Sequence, residues 1–316
     1  MKIKFVSNNA TQFMLFVMAF YLVFIVIVGS ISAVIGISFT PWFLIFSQVV
    51  GLLLPLFIWL AIKKDTFKRN MPNRPLGVAN FFLVIGLGIF AQPAMMILSF
   101  VTSLFFPNVA TELIGEFAAQ PFWLMILAVA VTPGIIEELL FRGYIQTNTP
   151  KTTVFKIALL NGLLFAIIHM SPQQFLYAFA MGMLLAYMVY YTKNIWAGII
   201  PHFIMNASQV SLGRWAAGTE ETLAALDAFE YTDAIPPELI GVLVVGMLAL
   251  VSPVIAIILL RTLISYNKKR FAEEVKPVEK TNDAQPDEAE DKPALCVDWC
   301  IVATIAIYLF TVIAML

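Results

Sequence analysis

The chain has 316 residues, of which 60% are hydrophobic and only 12% charged, and its mean hydropathy is +0.88. A soluble domain is nearer half apolar and a quarter charged, so this composition excludes one and describes an integral protein of the lipid bilayer. The net charge of −1 also excludes a nucleic-acid partner, because no basic surface remains once the loops are counted.

Apolar runs long enough to cross, about 20 residues each, fall at 12–37, 42–62, 80–106, 121–146, 155–171, 173–192, 194–213, 237–264 and 295–316. The first is span-length and lacks a small-residue cleavage site behind a short apolar core, so it is expected to stay as a helix. The predicted fold class is all-α, a polytopic transmembrane bundle of about eight core helices plus one C-terminal span. With the N-terminus cytoplasmic, seventeen Lys and Arg collect on the inside and only Arg214 on the outside, Arg142 being intramembrane. The positive-inside rule therefore predicts an N-in, multi-pass protein of the plasma (inner) membrane. Absence of an organellar or retention signal points to a bacterial source.

The outside loops 107–120 and 214–236 are acidic. The organisation expected is N-terminal helices over 1–120, a core over 121–213, an outside loop and eighth span over 214–270, a linker over 271–294 and a last helix over 295–316. The linker is poor in apolar residues and rich in Glu, Asp, Pro and Lys. It is expected to be disordered and cytoplasmic, a solvated tether or a docking strip for a regulatory partner, leaving the last helix peripheral to any chemistry. Cys296 and Cys300 cannot define a disulfide framework and are expected to be free thiols. No internal repeat is visible, which disfavours an inverted-repeat transporter.

Ionisable groups inside these spans carry the functional signal, because a charge in hydrocarbon costs a few kcal/mol or more. Glu137, Glu138 and Arg142 lie in the fourth run, and the chain's two histidines, His169 and His202, in the fifth and seventh. At 1.5 Å per residue, Glu137 stands ~15 Å, His169 roughly 20 Å and His202 about 12 Å from the cytoplasmic boundary, so the three can converge. Glu138 and Arg142 are i,i+4 and can pair, while Glu137 is turned about 100° away and free to face a cavity. His202 and Asn206 are also i,i+4. Pro133 and Pro201 interrupt the same helices, and the carbonyls they free are tolerated where they line a cavity. Each group alone has a bland reading: a structural ion pair, a satisfied histidine, or interhelical glue for Asn206. Their coincidence at one depth points to function.

Glu137-Glu138-x-x-x-Arg142-Gly143, Phe165-x-x-x-His169 and His202-x-x-x-Asn206 together resemble the three motifs of the CPBP (CAAX protease and bacteriocin-processing, or Abi) family of intramembrane proteases. The resemblance covers about 121–210. It implies that Glu137 with His169 activates water, that Glu138 pairs with Arg142 to tune the site, and that His202 and Asn206 stabilise an oxyanion. A poorly solvated carboxylate is a stronger base, which suits the first role. Zinc is left open by the resemblance: Glu137, His169 and His202 could hold Zn²⁺ with a fourth position free. The HExxH pattern of zinc proteases is absent, and metal-free glutamate catalysis is the favoured expectation.

The function expected is thus cleavage of a peptide bond in a membrane-associated protein or peptide. Two rivals are a non-catalytic immunity or scaffold protein with the same fold, and a carrier using the carboxylates as a proton relay. A pure binder has no need of Glu137, His169 and His202 together, and a relay would spread its polar groups along a path.

Overall fold

The computed structural model describes residues 3–36, 39–107, 117, 120–226, 237–274 and 295–315. After a short strand β1 (Ile3–Val6), Asn8 opens the first helix with a reciprocal capping box to Thr11. That helix is α1 (Asn9–Ile35), and it ends on Gly36 at φ 69°, a left-handed position natural to glycine. The bundle continues with α2 (Pro41–Lys63), α3 (Val78–Ser103), α4 (Phe122–Asn148), α5 (Val154–Ile168) and α6 (Phe175–Thr192). It closes with α7 (Trp196–Leu226), α8 (Pro237–Glu274), a strand β2 (Leu295–Asp298) and α9 (Trp299–Met315). Among the described residues, six helices are long and apolar enough to cross a membrane, and α5 and α9 are shorter apolar helices. The chain is an all-α, multi-pass membrane bundle, with one minimal parallel ladder between β1 and β2.

Three of these boundaries differ from the sequence expectation. The fifth run, read as a span to residue 171, ends as a helix at Ile168, because Pro172 cannot continue it and Met170 turns to φ 49°. His169 is consequently the residue that ends the helix, not one inside it. The seventh helix, expected to stop at 213, runs to Leu226 through Ala-, Glu- and Leu-rich sequence that favours helix irrespective of the bilayer. The eighth likewise runs to Glu274, beyond the expected 264. Residues 275–294, most of the expected acidic linker, lie outside the described residues, as do most of loop 107–120 and all of 227–236.

Packing follows what hydrocarbon permits. Large apolar side chains such as Val26 and Val34 on α1 and Phe310 on α9 face outward, while the helices are joined inside by a few satisfied polar contacts. Asn80 of α3 and Asn267 of α8, both fully buried, exchange reciprocal amide bonds at 3.0 and 2.8 Å. Trp59 of α2 donates to the Tyr144 hydroxyl of α4 at 2.7 Å, and Phe13 of α1 packs on the same Tyr144 ring at 4.4 Å.

The last helix is more firmly attached than its expected peripheral place implies. A parallel ladder sends α1 and α9 away side by side in the same direction, so both enter the bundle from one side. Asp298 clamps the join: Oδ2 accepts from Thr11 Oγ1 at 2.8 Å and Asn8 Nδ2 at 3.1 Å, while Oδ1 caps the Cys300 and Ile301 amides. Cys300 is a free, fully buried thiol, and Tyr308 packs on Phe175 at the start of α6. Asp298→Ala removes a helix cap and two side-chain partners at once. A loss of about 1–2 kcal/mol is expected, read as a lower thermal midpoint of the detergent-purified protein; an unchanged midpoint would refute the clamp.

Candidate active site

Residues before Glu137 do not form a regular helix, and proline is the reason. Pro133 has no N–H to give the Val129 carbonyl four residues back, and the preceding turn, Leu127–Val131, opens into a π-helical stretch. Each loosened carbonyl is recaptured from the side. Thr132 Oγ1 donates to Leu127 O at 2.7 Å, Gln48 Nε2 of α2 to Ala128 O at 3.2 Å, and Asn206 Nδ2 of α7 to Val129 O at 3.1 Å. In a span, where water cannot compensate, such recapture is obligatory. It also ties α2 and α7 to the segment of α4 that presents the glutamates.

A second π-helical stretch, Leu139–Ile145, follows Glu138 directly and carries Arg142. Arg142 and Glu138 are both fully buried and pair at 2.7 Å, as their i,i+4 spacing predicts. The guanidinium also donates from Nη2 to the Gly182 carbonyl of α6 at 2.9 Å and lies 4.6 Å from the Phe165 ring centre. Gly182 and Gly162 make this reach feasible: a Cβ on Gly182 would stand 2.7 Å from the Gly162 Cα, so only paired glycines let α5 and α6 cross so closely.

The Glu138 carboxylate has a further partner that the sequence did not reveal. Oε1 accepts from His202 Nδ1 at 2.9 Å, so one oxygen is shared by a guanidinium and an imidazole. A carboxylate there can only accept, which makes Nδ1 of His202 the protonated nitrogen and turns Nε2 the other way. Nε2 stands 3.8 Å from Glu137 Oε2, an oxygen that is itself buried without a protein hydrogen-bond partner. His169, ending α5, donates from Nδ1 to the Phe165 carbonyl at 2.7 Å, leaving its Nε2 as the nitrogen able to take a proton. Phe165 is the hub: its ring meets His169 edge-on at 4.9 Å and His202 at 5.7 Å.

Glu137, His169, His202 and Asn206 line one cavity of about 260 Å³, while Glu138 and Arg142 sit behind it in the protein. All six residues singled out in the sequence thus fall in one neighbourhood, in two layers. Gln48, Gln174 and Tyr177 also line the cavity, and sequence reasoning missed them. Their signal, a polar group in an apolar helix, is weak when taken singly. A stronger signal was Gly198, which with His202 and Asn206 forms an i, i+4, i+8 row on one helical face. A Cβ there would collide with Glu138 Oε2, so the glycine is what admits the carboxylate.

The set offered to Zn²⁺ does not fit an ion as placed. Glu137, His169 and His202 share the cavity, yet among the described residues no three His, Cys, Asp or Glu are grouped closely enough to hold a metal. The Nδ1 atoms of both histidines are engaged by protein acceptors, which leaves Nε2 as the nitrogen that either ring could offer to a ligand.

Gly198→Ala is expected to push Glu138 out of its seat and to cost about 1–3 kcal/mol as overpacking. At Gly134 an added Cβ would meet its nearest atom at 3.5 Å, an ordinary contact, so Gly134→Ala is the matched control. Thermal unfolding of the two variants should separate them by several degrees; equal midpoints would disprove the tight seat.

Residues 119–208, which include all six site residues, match the model of the Rce1-like family, described as type II CAAX prenyl endopeptidase Rce1-like. A Bacillus subtilis (strain 168) protein named "Putative membrane peptidase YdiL" is 28% identical over 166 residues, covering 51% of this chain and 67% of the relative. No solved structure matches the chain. Through its three motifs, the family match over residues 119–208 and this relative, the core of the chain is similar to the CPBP family of membrane peptidases.

Proposed function

We propose that the chain is an intramembrane endopeptidase in which Glu137, assisted by His169, activates the water that attacks a peptide carbonyl. The observation carrying this reading is the single cavity shared by Glu137, His169, His202 and Asn206, backed by the buried Glu138–Arg142 pair. Water positioned between the Glu137 carboxylate and the cavity gives up a proton to Glu137 as its oxygen bonds to the carbonyl carbon. The negative charge that develops on the carbonyl oxygen is met by His202 Nε2–H and by the Asn206 amide, whose other hydrogen remains on Val129 O. When the C–N bond breaks, the proton passes to the leaving amine, with His169 Nε2 placed to relay it.

Glu138 acts behind this exchange. In the cationic form of His202, the Glu137 and Glu138 charges are balanced by Arg142 and His202, so the site can hold an imidazolium without net charge. Arg142 and the carboxylate also fix which way the imidazole faces. The chemistry proposed is metal-free, and chelator treatment tests it. The substrate proposed is a membrane-associated protein or peptide reached from the cytoplasmic side of the plasma membrane, with the N-terminus inside as the charge bias implies.

Wild type, Glu137→Gln and Asn206→Ala should be purified in detergent and incubated with a quenched peptide library, with and without chelator. Glu137→Gln is expected to lower the rate by ~10²–10⁴ and Asn206→Ala by ~10²–10³, both remaining folded, with the wild type indifferent to chelator. A fully active Glu137→Gln would sink the assignment. Cleavage abolished by chelator and restored by Zn²⁺ would replace the glutamate mechanism with a metal one.

A further inference from the structure

A second cavity, of about 640 Å³, opens where α4 and α6 end, with Arg142 in its lining. The 69–74 connection forms one wall. Arg69, Arg74, Lys151 and Lys193 line it together with Arg142, and no carboxylate is among its described lining residues. Asp65 pairs with Arg69 from outside the cavity at 3.6 Å, and Arg74 stacks on Phe271 of α8 at 4.7 Å.

The walls are held rigidly. Lys193 adopts the left-handed conformation at φ 54° and accepts from the Arg74 amide at 3.0 Å, and Ile195 N donates to Pro72 O at 2.8 Å. Burial, with Arg74 beside it, holds the Lys193 ammonium below its usual range. Lys151 and Lys193 bring two ammonium groups to a concavity with no carboxylate among its described lining residues, and an anion would offset their charge.

Two buried atoms say more about the ligand. Arg142 is fully buried and uses both its Nη atoms on protein acceptors, yet its Nε–H has no hydrogen-bond partner. Gln146 gives its Nε2 to Ala186 O, while its buried Oε1 also has none. Phosphate oxygens suit the first, a donor; only a ligand hydroxyl or amide suits the second, an acceptor. A cavity of this size takes a small ligand, and basic pockets at helix ends on the membrane boundary favour anionic lipid headgroups.

We propose that this cavity binds a hydroxyl-bearing phosphate ester of the glycerol phosphate type, with Lys151, Lys193 and Arg142 Nε–H toward the phosphate and Gln146 Oε1 toward a hydroxyl. The source is an anionic phospholipid headgroup or the free ester. This site does not depend on the peptidase reading, and its readout is binding. Because Arg142 lines this cavity and pairs with Glu138 behind the first one, occupancy here touches the residue that holds Glu138.

Detergent-purified protein should be melted with short-chain phosphatidylglycerol, with glycerol 3-phosphate, and with short-chain phosphatidylcholine as the neutral control. A saturating ligand is expected to raise the midpoint by on the order of 5 °C. A rise with phosphatidylglycerol alone supports the site with a lipid source; a rise with glycerol 3-phosphate as well supports it with a soluble one. The Lys151→Gln/Lys193→Asn variant should lose the shift, asparagine being chosen because it tolerates the left-handed backbone. Lys151→Arg/Lys193→Arg, which keeps the charge, should retain it. No rise with either phosphate probe, an equal rise with phosphatidylcholine, an undiminished rise in the neutral variant, or loss in both variants would each overturn the proposal.

Discussion

One oxygen atom organises the centre of this protein. Glu138 Oε1 accepts from Arg142 on its own helix and from His202 on α7, while Arg142 reaches across to a carbonyl of α6. All three side chains are buried beyond water's reach. A buried ion pair is poor evidence for stability, since its desolvation cost can exceed its attraction; removing one member, however, leaves an uncompensated charge worth about 3–5 kcal/mol. The fold is thereby committed to one arrangement of α4, α6 and α7, and that arrangement sets the direction in which the His202 Nε2 faces. Specificity of geometry, more than net stability, is what the pair contributes.

The same demand for satisfied polar groups explains the irregular backbone. A proline inside a span would normally leave a carbonyl bare, and in hydrocarbon that is expensive. Here Pro133 does so one turn ahead of Glu137, and Thr132, Gln48 and Asn206 each take one of the loosened carbonyls. Asn206 therefore serves the helix and the cavity at once. The π-helical stretches on either side of the two glutamates are the geometric consequence, and they concentrate distortion where chemistry can use it. Glycines complete the frame by absence of bulk: Gly162 and Gly182 let α5 and α6 cross, and Gly198 leaves room for a carboxylate.

Arg142 lines the cavity of lysines and arginines at the helix ends, and its pair with Glu138 lies behind the cavity of Glu137 and the histidines. The last helix bears on the first cavity less directly. Its Tyr308 packs on Phe175, the residue that begins α6 just after the turn carrying His169.

Composition and spacing alone determined that this chain is an all-α membrane bundle, and they singled out six residues that the fold brings into one neighbourhood. Hydropathy reports burial in lipid without regard to neighbours, and an ionisable group in such a run is costly wherever the helix packs. The Glu138–Arg142 pair was legible for a related reason: i,i+4 spacing is local geometry, and it survived the π-helical distortion. Only tertiary structure decided the rest. That His202 shares the Glu138 oxygen, that Asn206 caps a carbonyl freed by the distant Pro133, and that His169 ends a helix instead of riding within it all depend on how separate helices meet. Contacts between helices distant in sequence leave no periodic trace in either strand of text. They arise where glycine permits approach and where hydrocarbon forbids an unpaired polar group, and both conditions are met in space, not along the chain.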